Sequence, residues 1–116
     1  MNITLATLPK ATAQQVFDHI SRHLLHQNER SNEHGKCLYY SSNSLKCAAG
    51  CLISDEEYGE EMEGQGWGDL VDMEMVPPHH MRLIMILQQM HDVTDPSKWV
   101  QRLHQIASDF NLEFKP

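Results

Sequence analysis

The chain has 116 residues, of which 41% are hydrophobic, and a formal net charge of −7. This length favours one domain around a single core, and no apolar run approaches the roughly 18 residues that a membrane span requires. The first residues, MNITLATLPKAT, do not have the pattern of a secretory signal. Three cysteines, an odd number, beside seven methionines are typical of a reducing compartment. We therefore expect residues 1–116 to form one soluble, cytoplasmic domain.

The first predicted element is a helix that begins after Thr12. The sequence TAQQ has the Thr-x-x-Gln form of a capping box, in which two side chains satisfy free backbone N–H groups. An apolar stripe at helical spacing follows and predicts one buried face: Val16, Phe17, Ile20 and Leu24. We expect this helix to end near Gln27, before a polar loop over residues 28–35.

A short β-hairpin is predicted around residues 37–49. CLYY has strand composition, SSNS has turn composition, and LKCAAGCLI is apolar enough to be buried. The small residues 48–50 predict that another backbone approaches closely there. Ser54, followed by three acidic residues, predicts a short helical turn. The glycine-rich stretch GQGWGDL predicts a loop that holds Trp67.

Two further helices are predicted at the C-terminus. Pro77 and Pro78 precede the apolar periodicity of a helix over residues 79–92. In DPSKW, Asp95 is the expected cap and Pro96 the first residue of a helix that ends near Asn111. A link this short favours an antiparallel pair. The predicted fold class is therefore α+β, mostly α, with about four helices, the short hairpin and a C-terminal antiparallel helical hairpin.

All three cysteines and one histidine lie within the eighteen residues HGKCLYYSSNSLKCAAGC. Their spacing is compatible with a structural zinc site formed by His34, Cys37, Cys47 and Cys51, although paired Cys-x2-Cys motifs are absent. The alternative, which we favour, is reduced cysteines that pack as small hydrophobic residues, without a cofactor. Nothing nearby selects Cys47 as a nucleophile with His34 as its base, so we do not expect an enzyme.

Three histidines at helical spacing, His19, His23 and His26, lie on one side of the first predicted helix. Such an arrangement can chelate a transition metal. The apolar stripe occupies a different face, and no further ligand is evident. We therefore expect a solvated polar face.

The acidic residues are concentrated between Asp55 and Glu74. This segment has nine carboxylates and no Lys or Arg, whereas the rest of the chain has seven acids and nine bases. Carboxylates this dense repel one another unless a cationic partner meets them. We therefore expect a basic protein partner and no direct contact with nucleic acid or membrane, with the chain a monomer or a homodimer. The candidate partner-binding residues are Asp55, Glu56, Glu57, Glu60, Glu61, Glu63, Trp67, Asp69 and Asp72.

One long stretch, CLYYSSNSLKCAAGCLISDEEYGEEMEG, together with VFDHISRHLLHQNERS before it and DPSKW after it, resembles a family of small bacteriophage and prophage proteins. The resemblance covers about residues 12–110. It implies an accessory protein in a bacterial host cell and assigns no catalytic residues. We therefore interpret the chain as a noncatalytic accessory protein whose acidic surface binds a host or phage protein, and inhibition of a nucleic-acid-binding host or defence complex fits this role. The alternative is a zinc-stabilised structural or regulatory module.

Overall fold

The structure is a computed structural model that describes residues 2–116. Its α-helices and β-strands, in chain order, are α1 (Ala13–Gln27), β1 (Asn32–Glu33), β2 (Lys36–Cys37), α2 (Trp67–Asp72), α3 (Met81–Val93) and α4 (Trp99–Asp109). The predicted α+β, mostly α class is confirmed. No helix within residues 2–116 has the length and apolar character needed to cross a membrane.

Helix α1 begins and ends where the sequence predicts. Thr12 Oγ1 accepts a hydrogen bond from Gln15 N at 3.1 Å, and Gln15 Oε1 accepts one from Thr12 N at 2.9 Å. This reciprocal capping box satisfies two of the free N–H groups at the helix start. Asn28, in the left-handed conformation, ends the helix. The predicted apolar stripe is fully buried and packs α1 against the core.

The β-hairpin lies earlier in the chain than predicted. Asn32 pairs with Cys37 and Glu33 with Lys36, so residues predicted as loop form strand β1. The two turn residues, His34 and Gly35, both have positive φ, as a type I′ turn requires. The expected hairpin at 37–49 is reduced to a single bridge between Tyr40 and Lys46. The sequence signal was weak because Asn or Asp, rather than His, usually precedes glycine in this turn.

The stretch predicted as a glycine-rich loop contains helix α2. Asp69 Oδ2 accepts a hydrogen bond from Gly66 N at 3.2 Å, which caps the helix start. Trp67 and Leu70, three residues apart, are buried on one face of the helix. Packing of these side chains therefore outweighs the low helix propensity of glycine. After Ser54, the predicted helical turn is a hydrogen-bonded turn without a regular helix.

Helices α3 and α4 form the predicted C-terminal pair. Asp95 caps the connection, since its Oδ1 accepts a hydrogen bond from Ser97 N at 2.9 Å. A single 3₁₀ turn, Pro96–Lys98, precedes α4. Trp99, at the start of α4, is fully buried, and α1 contacts both helices of the pair. The helical part of the core thus lies between α1, α3 and α4, and α2 adds Trp67 and Leu70 to it.

The predicted close approach of backbones is found at Gly50. A Cβ atom at this position would lie 2.2 Å from the carbonyl oxygen of Tyr39. No real Cβ tolerates such a distance to backbone. Gly50 therefore fixes the spacing between the segment after the hairpin and the turn that contains Cys47.

We expect Gly50→Ala to lower the free energy of unfolding by about 2 kcal/mol or more, because the backbone around Tyr39 must shift. Urea unfolding followed by circular dichroism measures this loss. Gly68→Ala is the matched control, since its Cβ would lie 3.6 Å from the Met85 side chain. In helix α2 alanine should be neutral or stabilise by up to about 1 kcal/mol. Equal stability of the two variants would contradict the close approach.

Candidate partner-binding surface

Glu57 anchors the first half of the acidic segment to the N-terminus of the chain. Its Oε1 accepts hydrogen bonds from Leu5 N and Ser54 N, both at 2.9 Å, and its Oε2 accepts one from Ala6 N at 3.0 Å. Burial opposes ionisation of this carboxyl, but the hydrogen bonds from Ser54, Leu5 and Ala6 outweigh it and lower the pKa of Glu57. Glu57 was predicted to bind a partner; it is used inside the fold instead.

Glu63 anchors the segment at a second point in the same way. Its Oε1 accepts a hydrogen bond from Tyr39 N at 2.9 Å, and its Oε2 accepts one from Tyr40 N at 3.1 Å and one from Tyr58 Oη–H at 2.6 Å. These backbone N–H groups have no strand partner on that side, so the carboxylate takes the place of a neighbouring strand. Glu63 therefore also has a structural role, and its side chain is only partly exposed.

A tyrosine stack supports the segment between these two anchors. The rings of Tyr40 and Tyr58 lie 4.1 Å apart at 17°, and Lys46 Nζ lies 4.6 Å from the Tyr40 centroid. The same ammonium group lies 3.6 Å from Asp55 Oδ1, whose side chain is 83% exposed. An ion pair this exposed contributes little to stability. Asp55 therefore remains accessible, with part of its charge balanced by Lys46.

Trp67 does not lie on the surface. It is only 2% exposed, and its ring contacts Tyr39 edge-to-face with the centroids 6.4 Å apart. The prediction of Trp67 as an exposed anchor is wrong, because the hydrophobic side chain is part of the core. Asp69 is exposed and caps α2 through Gly66, as described above.

Five carboxylates of the segment remain exposed without a hydrogen bond or ion pair to any side chain or backbone group of residues 2–116: Glu56, Glu60, Glu61, Asp72 and Glu74. We call these five residues the acidic surface. Met73, between two of them, is 50% exposed. Four of the five belong to the predicted partner-binding set, and the fifth, Glu74, belongs to the acidic run from which that set was drawn. The structure thus divides a uniform-looking run into inward anchors and outward charges.

The four residues of the predicted zinc site do not converge. Cys47 is buried, and its Sγ accepts a hydrogen bond from Gly50 N at 3.2 Å. Cys51 Sγ donates to the Ala48 carbonyl at 3.1 Å, and His34 lies exposed in the hairpin turn. Cys37 instead lies near His91 and Asp92, with potential ligand atoms of all three within 4.8 Å. The predicted zinc ligand set is therefore wrong.

The hydrogen bonds of His91 also argue against a metal at Cys37. Its Nε2 accepts a hydrogen bond from Ser31 N at 3.1 Å, so in the neutral ring the proton is on Nδ1, which donates to Asp92 Oδ1 at 2.8 Å. A metal on Nδ1 would move the proton to Nε2, where it would face the Ser31 N–H group. Both ring nitrogens of His91 are thus already used, in hydrogen bonds that link Ser31 to Asp92. Sequence analysis missed His91, although its spacing from Ile84 and Leu87 places it on the buried face of α3.

Two of the histidines on α1 hold the cysteine-rich segment. His19 Nε2 donates to the Cys51 carbonyl at 3.0 Å, and His23 Nε2 donates to the Lys46 carbonyl at 2.9 Å. Burial lowers the pKa of His23. Gln27 forms two more hydrogen bonds with the Lys46 backbone: its Nε2 donates to the carbonyl oxygen, and its Oε1 accepts from the N–H group. The predicted solvated face is wrong for these two imidazoles, and only His26 is exposed.

The thiols are poorly suited to nucleophilic chemistry. Burial and the nearby Asp92 carboxylate raise the pKa of Cys37 to about 11. Burial also raises the pKa of Cys47 and of Cys51. A nucleophilic thiol requires the opposite shift, toward a thiolate at neutral pH.

Comparison with known proteins adds no relative: no protein-family model, no curated protein and no solved structure matches this chain.

Glu57→Gln should lower the free energy of unfolding at pH 7 by about 1–2 kcal/mol, because the amide accepts fewer of the backbone N–H groups and loses the charge. Since the folded pKa of Glu57 is lowered, its contribution is present above the ordinary pKa of 4.5 and is lost as the pH falls through the folded pKa. The difference between variant and wild type should therefore shrink toward pH 3. Denaturant unfolding at both pH values measures it.

The control for this experiment is Glu56→Gln, which makes the same change at the adjacent exposed carboxylate. Its effect should stay within about 0.5 kcal/mol. An equal loss of stability in both variants would show that Glu57 is not an anchor.

All three thiols should react slowly with a disulfide reagent in the native protein at pH 7. Cys37, half-buried, should react first, and its rate should rise about tenfold per pH unit between pH 7 and 10, as the thiolate fraction does. Mass spectrometry of the labelled peptides identifies the cysteine. A fast reaction at pH 7 that is lost in Cys37→Ser would contradict the raised pKa.

Proposed function

We propose that this chain is a noncatalytic binding protein that engages a basic surface of a protein partner through its acidic surface. The observation that supports this most strongly is the set of five exposed carboxylates that have no partner within residues 2–116, on a segment of twenty residues that has no Lys or Arg. Such a field attracts a cationic partner and raises the association rate.

The anchoring of the segment supports the same proposal. Glu57 and Glu63 fix its backbone at two points, and the tyrosine stack supports the part between them. A segment that is already ordered loses less conformational entropy when it binds. The outward charges are therefore presented in a fixed arrangement, which favours one partner geometry over unspecific attraction.

The biological role is a further part of the proposal. The resemblance of the CLYY-to-EMEG stretch to phage and prophage proteins suggests an accessory protein that acts in a bacterial host. Carboxylates in a fixed arrangement can occupy sites that bind phosphates, since both are anions that accept hydrogen bonds from Arg and Lys. Inhibition of a host or defence complex that binds nucleic acid fits this chemistry.

The test begins with capture of partners from a bacterial lysate at two salt concentrations, followed by purification of the captured protein and measurement of its Kd. Reversal of two charges of the acidic surface, Glu60→Lys with Glu61→Lys, should weaken binding by roughly tenfold or more, because like charges then face each other. Binding should also weaken at high salt, as screened electrostatic attraction does.

A matched control reverses two exposed acids elsewhere, Asp109→Lys with Glu113→Lys, and should leave the Kd within about twofold of wild type. If the Kd changes neither with the Glu60/Glu61 reversal nor with the salt concentration, the acidic surface is not the binding site.

A further inference from the structure

A small cleft lies where the acidic segment meets α3. Its volume is about 260 Å³, below the 300 Å³ or more of typical sites for small-molecule ligands, so it fits a single side chain. One wall is formed by residues 63–67, which belong to the acidic segment. The cleft is therefore continuous with the segment that carries the acidic surface.

The cleft has two acidic side chains in its lining. Glu63 and Asp92 both line it, and none of its lining residues within 2–116 is Lys or Arg. Asp92 Oδ1 accepts hydrogen bonds from Gln88 Nε2 at 2.7 Å and His91 Nδ1 at 2.8 Å, which hold the carboxylate in place while its side chain stays 35% exposed. A group that enters this space meets two fixed negative charges.

An unsatisfied donor lies in the wall of the same cleft. The Nε1–H group of Trp67 is buried and has no hydrogen-bond acceptor within residues 2–116. Every other buried side-chain nitrogen or oxygen within residues 2–116 has a hydrogen-bond partner. Tyr39 also lines the cleft, so aromatic rings lie close to its two carboxylates.

We propose that this cleft receives an arginine or lysine side chain from the basic partner, an inference that rests on the function proposed above. The cation lies beside Asp92 and Glu63, and the aromatic walls contact it as they contact guanidinium groups elsewhere. A peptide backbone next to that side chain supplies the carbonyl acceptor that Trp67 lacks. Arginine binds better than lysine, because its planar group stacks on aromatic rings.

The test uses blocked arginine (N-acetyl, C-methylamide) as the probe, with the neutral isostere, blocked citrulline, as its control. The indole N–H signal of Trp67 is followed by ¹H–¹⁵N NMR and assigned with Trp67→Phe; the signal of Trp99, whose Nε1 donates to the Thr94 carbonyl at 3.0 Å, is the internal reference. Arginine should shift the Trp67 signal in a saturable way, and citrulline should not. Spermidine tests whether a free polyamine is the ligand instead of a protein side chain.

Asp92→Asn should weaken arginine binding by roughly tenfold or more, whereas Asp109→Asn, the same change on the exposed face of α4, should leave it unchanged. The citrulline comparison needs no variant, so a misfolded Asp92→Asn protein leaves the test intact. An unmoved Trp67 signal, an equal shift with citrulline, or tighter binding of spermidine than of arginine would overturn the proposal. Because this test uses no partner, its failure is distinct from failure of the Glu60/Glu61 experiment.

Discussion

The structure depends on side chains that form hydrogen bonds with backbone groups, in segments where those groups have no neighbouring strand to pair with. Between the end of α1 and the start of α2 the chain has only two strands of two residues each, so most backbone groups there have no ladder partner. Glu57, Glu63 and Gln27 each bind a backbone segment through two atoms, and Gln88 Oε1 accepts from Ala49 N at 2.9 Å. Buried backbone groups without partners are costly, and these contacts remove that cost.

Because of these hydrogen bonds, the acidic residues between Asp55 and Glu74 do not all have the same role. Repulsion among nine carboxylates within twenty residues destabilises a compact domain. Glu57 and Glu63 offset part of it, because a carboxylate that accepts several N–H bonds is stabilised in its charged form. The five carboxylates of the acidic surface have no such compensation within residues 2–116. A uniform run of acids in the sequence is therefore two populations in the structure, distinguished by their hydrogen-bond partners.

Local signals predicted the local structure. The Thr12 capping box, the Asp95 cap and the small residue at Gly50 were read correctly, because each depends on neighbours a few residues away or on steric size alone. The inward direction of Glu57 and Glu63 was not predicted, since their partners Leu5 and Tyr39 lie 52 and 24 residues away. Ser54-x-x-Glu57 did contain a capping pattern, and it gave the only local sign that Glu57 turns inward.

The anchors also explain why the acidic surface and a cleft occur on the same part of the chain. Glu63 binds Tyr39 and Tyr40 through its oxygens, which brings residues 63–67 against the strand end at Cys37. That contact forms one wall of the cleft, and α3 supplies the other with Gln88 and Asp92. The backbone order that Glu63 provides thus fixes both the outward charges and the negative cleft beside them. The basic partner that we propose would meet an arrangement that folding has already established, so the entropy of ordering the segment would not be a cost of binding.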